Sequence, residues 1–244
     1  MEMYIYRFPI LELLVVLFIL ASFSIPILPF LARVMPEELT VVTFSSSTSS
    51  FIVTILMIVY FYRLASNISS SLISHILSMP VKRQHLFLAF VFSGILVPLA
   101  LWLVSQVIAL LFRIEDIRAS IACLAILSYL VPQLLLGASL LLFTLLTKSR
   151  GVVLGLGIGT WIGLSMLQLL EAQIISDPSS TEIARVVASL IHPGKAFTLM
   201  YMHTSLSSKT ILFEVGISTL LEFAISITIL AITYVVFVRR WEPT

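Results

Sequence analysis

Apolar residues run along this chain in blocks too long and too free of charge for the core of a soluble protein. Five stretches, Leu13–Ala32, Leu39–Tyr62, Leu86–Phe112, Ala119–Thr147 and Gly151–Leu170, contain no Asp, Glu, Lys or Arg. A sixth, Val215–Val238, is interrupted only by Glu222. Each holds 20 to 29 residues, and about 20 helical residues, at ~1.5 Å each, cover a hydrocarbon layer roughly 30 Å thick. In lipid every peptide N–H and C=O must be satisfied within its own segment, which favours helices over the short alternating strands of a barrel. The expected fold class is all-α, a polytopic membrane protein with six transmembrane helices. The longest connection, Glu171–Glu214, is far shorter than a domain of ~100 residues, so residues 1–244 are expected to form a single transmembrane domain.

Two connections carry helical patterns of their own. In Arg63–His85, the residues Leu64, Ile68, Leu72 and Ile76 recur four apart, with Ile73 and Leu77 beside them. That spacing makes one apolar stripe, opposite Ser66, Asn67, Ser70, Ser74, His75 and Ser78. Pro80 ends the helix near Met79, because the residue before proline disfavours α geometry. From pattern alone this amphipathic helix either lies in the headgroup layer or docks a partner. After the fifth run, Ser179-Ser180-Thr181-Glu182 reads as a capping box, followed by Ile183, Val186, Val187, Leu190 and Ile191 on one face. His192-Pro193-Gly194 stops that helix, and the run Ala196–Met202 predicts a second short one before polar Thr204–Lys209.

Charge adds sidedness. With both termini inside, Arg7, Arg63, Lys82, Arg83, Lys148, Arg150, Arg239 and Arg240 are cytoplasmic. Of the six basic residues left outside, Arg185, Lys195 and Lys209 fall in the longest connection, which weighs least in orientation. An N-in, C-in topology is expected, with Glu37, Glu38, Glu115, Asp116, Glu171, Asp177 and Glu182 outside. Leu13–Ala32 is too long for a signal-peptide core, and no small-x-small site follows it before Arg33, so it is expected to remain as the first span. A lone Cys123 excludes an internal disulfide and is expected to be a buried small side chain.

The segment Ser70-Ser71-Leu72 through Leu77-Ser78-Met79-Pro80-Val81-Lys82-Arg83 resembles the Gly-Thr-Leu…Leu-Leu-x-x-Pro-Val-x-Arg segment of the ABC transporter type-2 permease family. Ser70 and Ser71 stand where Gly-Thr is usual, and Ser69 where a glutamate is common. The resemblance implies a permease domain of six spans with cytoplasmic termini, in which the 64–85 loop is the coupling helix. It further implies a dimer, formed with a second permease copy or a paralogue, and two separate ATP-binding-cassette ATPase subunits. Ser70, Ser71, Ser74, His75, Leu77, Met79, Pro80, Val81, Lys82 and Arg83 would then contact the ATPase. ATP and magnesium are expected on that partner, with no cofactor in this chain. The broken external helical element before the sixth span is also similar to the family, which often carries Asn-Pro where this chain has His192-Pro193. The implied setting is a plasma membrane, multi-pass and prokaryotic.

Within the spans, Gly151, Gly155, Gly159 and Gly163 recur every four residues, a pattern that admits close helix packing or a dimer contact. Glu222, Gln106 and Gln133 are the pathway candidates, each weighed against a role as interhelical hydrogen-bonding groups. A carboxyl in mid-span is costly and must face protein or water. Ser45–Ser50, with Thr43 and Thr54, makes one end of the second run polar around its circumference. His75, His85, His192 and His203 have no metal-ligand spacing, and no Walker A sequence, Gly-x-Ser-x-Gly elbow or basic nucleic-acid stripe is present. The chain is thus expected not to be an enzyme itself, and to have lipid but no nucleic acid among its partners. Two other functions fit the same features: a proton-coupled secondary transporter using Glu222, or a non-transporting membrane assembly protein.

Overall fold

The computed structural model describes residues 37–68, 82–111, 119–177, 179–202 and 208–240. Regular structure among them is helical throughout: α1 (Glu37–Ile68), α2 (Arg83–Val91), a π turn (Phe92–Leu96), α3 (Val97–Leu111), α4 (Ala119–Thr147), α5 (Arg150–Ser176), α6 (Glu182–Ser189), α7 (Pro193–Met202) and α8 (Ser208–Arg240). Among the described residues, four stretches are long and apolar enough to cross a membrane: Ser50–Ile68, Arg83–Val104, Cys123–Thr147 and Lys209–Arg239. They correspond to the second, third, fourth and sixth apolar runs. The fifth run falls in α5, where Arg150–Thr160 forms a shorter apolar stretch. The first run lies outside the described residues.

The helix pair α2–α3 is joined by its π turn rather than broken by proline. Pro98 has no N–H to give the Gly94 carbonyl, and its ring crowds that oxygen. The wide turn just before it absorbs the misfit, with the Val97 N–H reaching the Phe92 carbonyl five residues back. Glycine is required here by contact. A Cβ on Gly94 would lie 2.6 Å from Tyr60 Cε1 and 2.9 Å from Phe61 Cζ, so any other residue would push α1 away.

The main core lies between α1, α2, α3, α4 and α8, where Met57, Phe61, Ile95, Trp102, Leu141 and Phe237 are fully buried. Phe87 and Phe90 meet Phe237 at ring-centroid distances of 6.0 Å, and Phe87 meets Tyr234 at 5.3 Å, joining the start of α2 to the end of α8. Helix α8 is polar inside and apolar outside. Its buried stripe includes Glu214, Ser218, Thr219, Glu222, Ser226 and Thr233, while Leu220, Leu221, Phe223, Ile225, Ile227 and Ile232 face outward. A soluble helix is patterned the other way round. In lipid, polar side chains hold helices together and apolar ones meet the hydrocarbon.

Two corrections to the sequence reading follow, the first from that inversion. Cys123 is exposed rather than buried, on the same outward face of α4 as Leu127 four residues on, which is 49% exposed. In keeping with the same inversion, Ile183 and Val187 of α6 face outward, 76% and 58% exposed. Its small residues Ala188 and Ser189 are the buried ones. Finally, α1 continues through Ile68, so Leu64 and Ile68 are buried within the span-two helix and do not begin a separate amphipathic one. Residues 69–81 lie outside the described part. The α6 cap is shifted as well. Ser179 is committed to Asp177, giving its N–H and hydroxyl to Oδ1 at 2.9 and 2.7 Å, and Thr181 Oγ1 accepts the Ala184 N–H instead.

Candidate functional site

Helices α6 and α7 fold back as a hairpin onto one end of the bundle, against α4, α5 and α8. Three contacts fix it. Arg185 on α6 grips Glu214 on α8 bidentately, with Nη2–Oε1 at 2.7 Å and Nε–Oε2 at 3.0 Å, and also donates to the Ser180 carbonyl at 2.8 Å. Close by, the Ser189 and Ser218 hydroxyls hydrogen-bond each other. At the α6–α7 corner, Tyr129 of α4 lies so close to Gly194 that a Cβ there would sit 2.6 Å from the ring. Ala196, Phe197 and Met200 of α7 are then buried with Ala125, Ile175, Ile211 and Val215 in a second apolar cluster.

His192 occupies the corner itself. Its ring packs edge-on to Tyr129 at 5.4 Å, and its Nδ1 accepts the Lys195 N–H at 3.2 Å. Burial, reinforced by the Lys195 ammonium, lowers its pKa from 6.5 to about 4. A buried neutral histidine opposes folding in acid. The unfolded chain takes up a proton below its ordinary pKa while the folded one does not, so stability falls as pH drops from about 6.5 towards 4. His192→Gln, which keeps an acceptor for the Lys195 N–H, is expected to flatten that acid limb. Thermal denaturation of both proteins across this pH window measures it.

Beneath the hairpin lie two buried carboxyls. Glu171 on α5 is fully buried and Glu222 on α8 is 4% exposed. At ~1.5 Å per residue, Glu171 lies about 32 Å along α5 from Arg150, and Glu222 about 27 Å along α8 from Arg240. Glu171 is within electrostatic range of both the Glu222 carboxyl and the Lys195 ammonium. Neither Glu171 oxygen has a hydrogen-bond partner among the described residues, nor does Glu222 Oε2. The nearby Ala196 N–H is committed to the His192 carbonyl at 3.0 Å, and Lys195 Nζ donates to Gln168 Oε1. Burial lowers the Lys195 pKa from its ordinary value, and Glu171 opposes that shift.

The sequence-selected residues distribute unevenly over this structure. Glu222 belongs to the hairpin end. Gln133 does not: its Oε1 accepts the Thr54 hydroxyl at 2.8 Å and ties α4 to α1. Gln106 is buried in α3. The glycine ridge faces outward, and no described heavy atom lies within 4 Å of a Cβ built on Gly155, Gly159 or Gly163, while Gly151 meets only Ser149 Oγ at 4.0 Å. Gly157 is on the other side, where a Cβ would lie 2.8 Å from Ile58 Cγ1. Of the coupling residues, Lys82 and Arg83 are exposed, and Arg83 Nη1 reaches the Val238 carbonyl at 3.5 Å. Ser70 through Val81 lie outside the described residues.

Sequence reasoning missed Glu171 as a buried carboxyl facing Lys195 of α7 and Tyr129 of α4. Glu171 closed an apolar run and so read as a flanking charge. The signal was that no helix breaker follows until Asp177-Pro178, which keeps Glu171 in the last turns of a continuing helix. Compared with protein-family models, with curated proteins and with solved structures, the chain matches none.

Proposed function

We propose that this chain is the membrane subunit of an ATP-driven exporter, working as a dimer and coupled to two separate ATPase subunits through the 64–85 loop. The observation that carries the proposal is the α6–α7 hairpin seated in the bundle just before α8. It agrees with the external helical element that the type-2 permease resemblance implies, and it stands at the opposite end of α8 from Arg83. The outward glycine ridge of α5 supports the dimer. With no side chains at Gly155 and Gly159, a second helix backbone can approach closely there.

Coupling tests the loop. Replacing Pro80-Val81-Lys82-Arg83 with a Gly-Ser linker is expected to abolish ATPase-subunit binding, and with it coupled ATP hydrolysis, while leaving the helical content of the chain unchanged. Intact binding and coupled hydrolysis in that variant would overturn the assignment. A second function, a proton-coupled carrier using Glu222, is favoured by one observation, the burial of that carboxyl, whose Oε2 has no hydrogen-bond partner among the described residues. Transport driven by a pH gradient in vesicles free of nucleotide would select it.

A further inference from the structure

The outward stripes of three helices end in arginine at the same end of the bundle. On α1, Phe51, Ile55, Val59 and Arg63 recur four apart and are all exposed. On α5 the same spacing runs from exposed Arg150 through Leu154, Ile158 and Ile162. On α8, exposed Ile232 and Val235 lead to exposed Arg239. Residues three or four apart share a helix face, so each arginine lies on the face that meets hydrocarbon, away from the core. From Arg150 to Leu170 on α5, and from Arg239 back to Leu220 on α8, the outward face is about 30 Å long at ~1.5 Å per residue. That is the thickness of a bilayer's hydrocarbon layer, so the arginines stand where the headgroups begin.

Their charge is left over. None of the three forms an ion pair among the described residues, and the described residues at this end include no Asp or Glu. The expected N-in, C-in topology puts eight basic residues on this side against three acids, Glu2, Glu12 and Glu242, which lie outside the described residues. A second guanidinium stands beside Arg239, because Arg83 Nη1 reaches the Val238 carbonyl at 3.5 Å. We propose that Arg63, Arg150 and Arg239, the last assisted by Arg83, form a collar that binds the phosphates of anionic phospholipids in the leaflet at this end. A guanidinium matches phosphate oxygens bidentately, its methylene stem lies along apolar surface while the charged head reaches the headgroup, and an anionic leaflet attracts basic residues beside a span. The collar holds whether ATP or an ion gradient drives the protein.

Native mass spectrometry of the full-length, delipidated protein tests it, by titration with phosphatidylglycerol and with phosphatidylcholine of the same acyl chains. The wild type is expected to bind phosphatidylglycerol in preference. R63Q and R239Q should each weaken one bound phosphatidylglycerol about fivefold, the share one basic residue contributes near an anionic surface. R63Q/R150Q/R239Q should lose the preference, and R63K/R150K/R239K should keep most of it. Circular dichroism checks that helical content is unchanged, and the single variants decide the matter if the triple one does not fold. Equal binding of the two lipids by the wild type, or a preference that survives in the triple glutamine variant, would overturn the proposal. Displacement of phosphatidylglycerol by inorganic phosphate would overturn it in favour of a free-anion site. Unchanged lipid binding with loss of an acidic protein partner in the triple variant would overturn it in favour of that partner.

Discussion

Arg185→Met is expected to destabilise the protein by about 3 to 5 kcal/mol, the cost of leaving a buried carboxylate without its partner. Glu214 is fully buried and Arg185 is 15% exposed, so water replaces little of the lost interaction. The guanidinium also satisfies the Ser180 carbonyl, so the mutation frees a second polar group at the start of α6. Because α6 turns its apolar side outward, it has few other contacts to hold it on α8. The hairpin should therefore detach before the bundle melts, and protease should cut between α6 and α7. Adding Glu214→Leu should restore most of the stability, since an apolar pair of similar volume replaces a buried ion pair at little cost. Denaturant titration of the single and double variants measures both effects. A loss under about 1 kcal/mol in Arg185→Met would reduce the pair to the rank of a surface salt bridge.

The second large effect separates two faces of α5. Gly159→Leu is expected to leave the stability of the single chain within about 0.5 kcal/mol, as at an open site, but to abolish the dimer. No described atom stands near that position. Gly157→Leu should do the reverse. Its Cβ alone comes within 2.8 Å of Ile58 Cγ1, so overpacking against α1 is expected to cost about 1 to 3 kcal/mol, with the dimer face untouched. Native mass spectrometry in nanodiscs reads the oligomer, and thermal denaturation reads the fold. Unfolding by Gly159→Leu would mean that the ridge packs within the chain and not against a second copy.

The helices were legible in the sequence because charge-free runs of this length have no other economical structure in lipid. Their bounds were less so. Charge marks where a run ends, but α1 continues to Ile68 past Arg63, and α5 to Ser176 past Glu171. Sidedness of each helix was misread for a physical reason. An apolar position points to the interior only when water is the solvent, so Cys123 was expected inside and lies outside. The juxtaposition of Glu171 and Lys195 could not be read from spacing either. They come from different helices, brought together by an α6–α7 corner that depends on Gly194 fitting under the Tyr129 ring.

The central claim is that the bundle draws its energy from a separate ATPase. Its most direct measurement is the composition and hydrolytic activity of the full-length protein purified from its own membranes after mild cross-linking. The account predicts two copies of this chain with two soluble subunits bearing Gly-x-x-x-x-Gly-Lys-Ser/Thr, and ATP hydrolysis that the Gly-Ser replacement at residues 80–83 uncouples. Recovery of the chain with no nucleotide-hydrolysing companion, still moving solute across vesicles by itself, would contradict it.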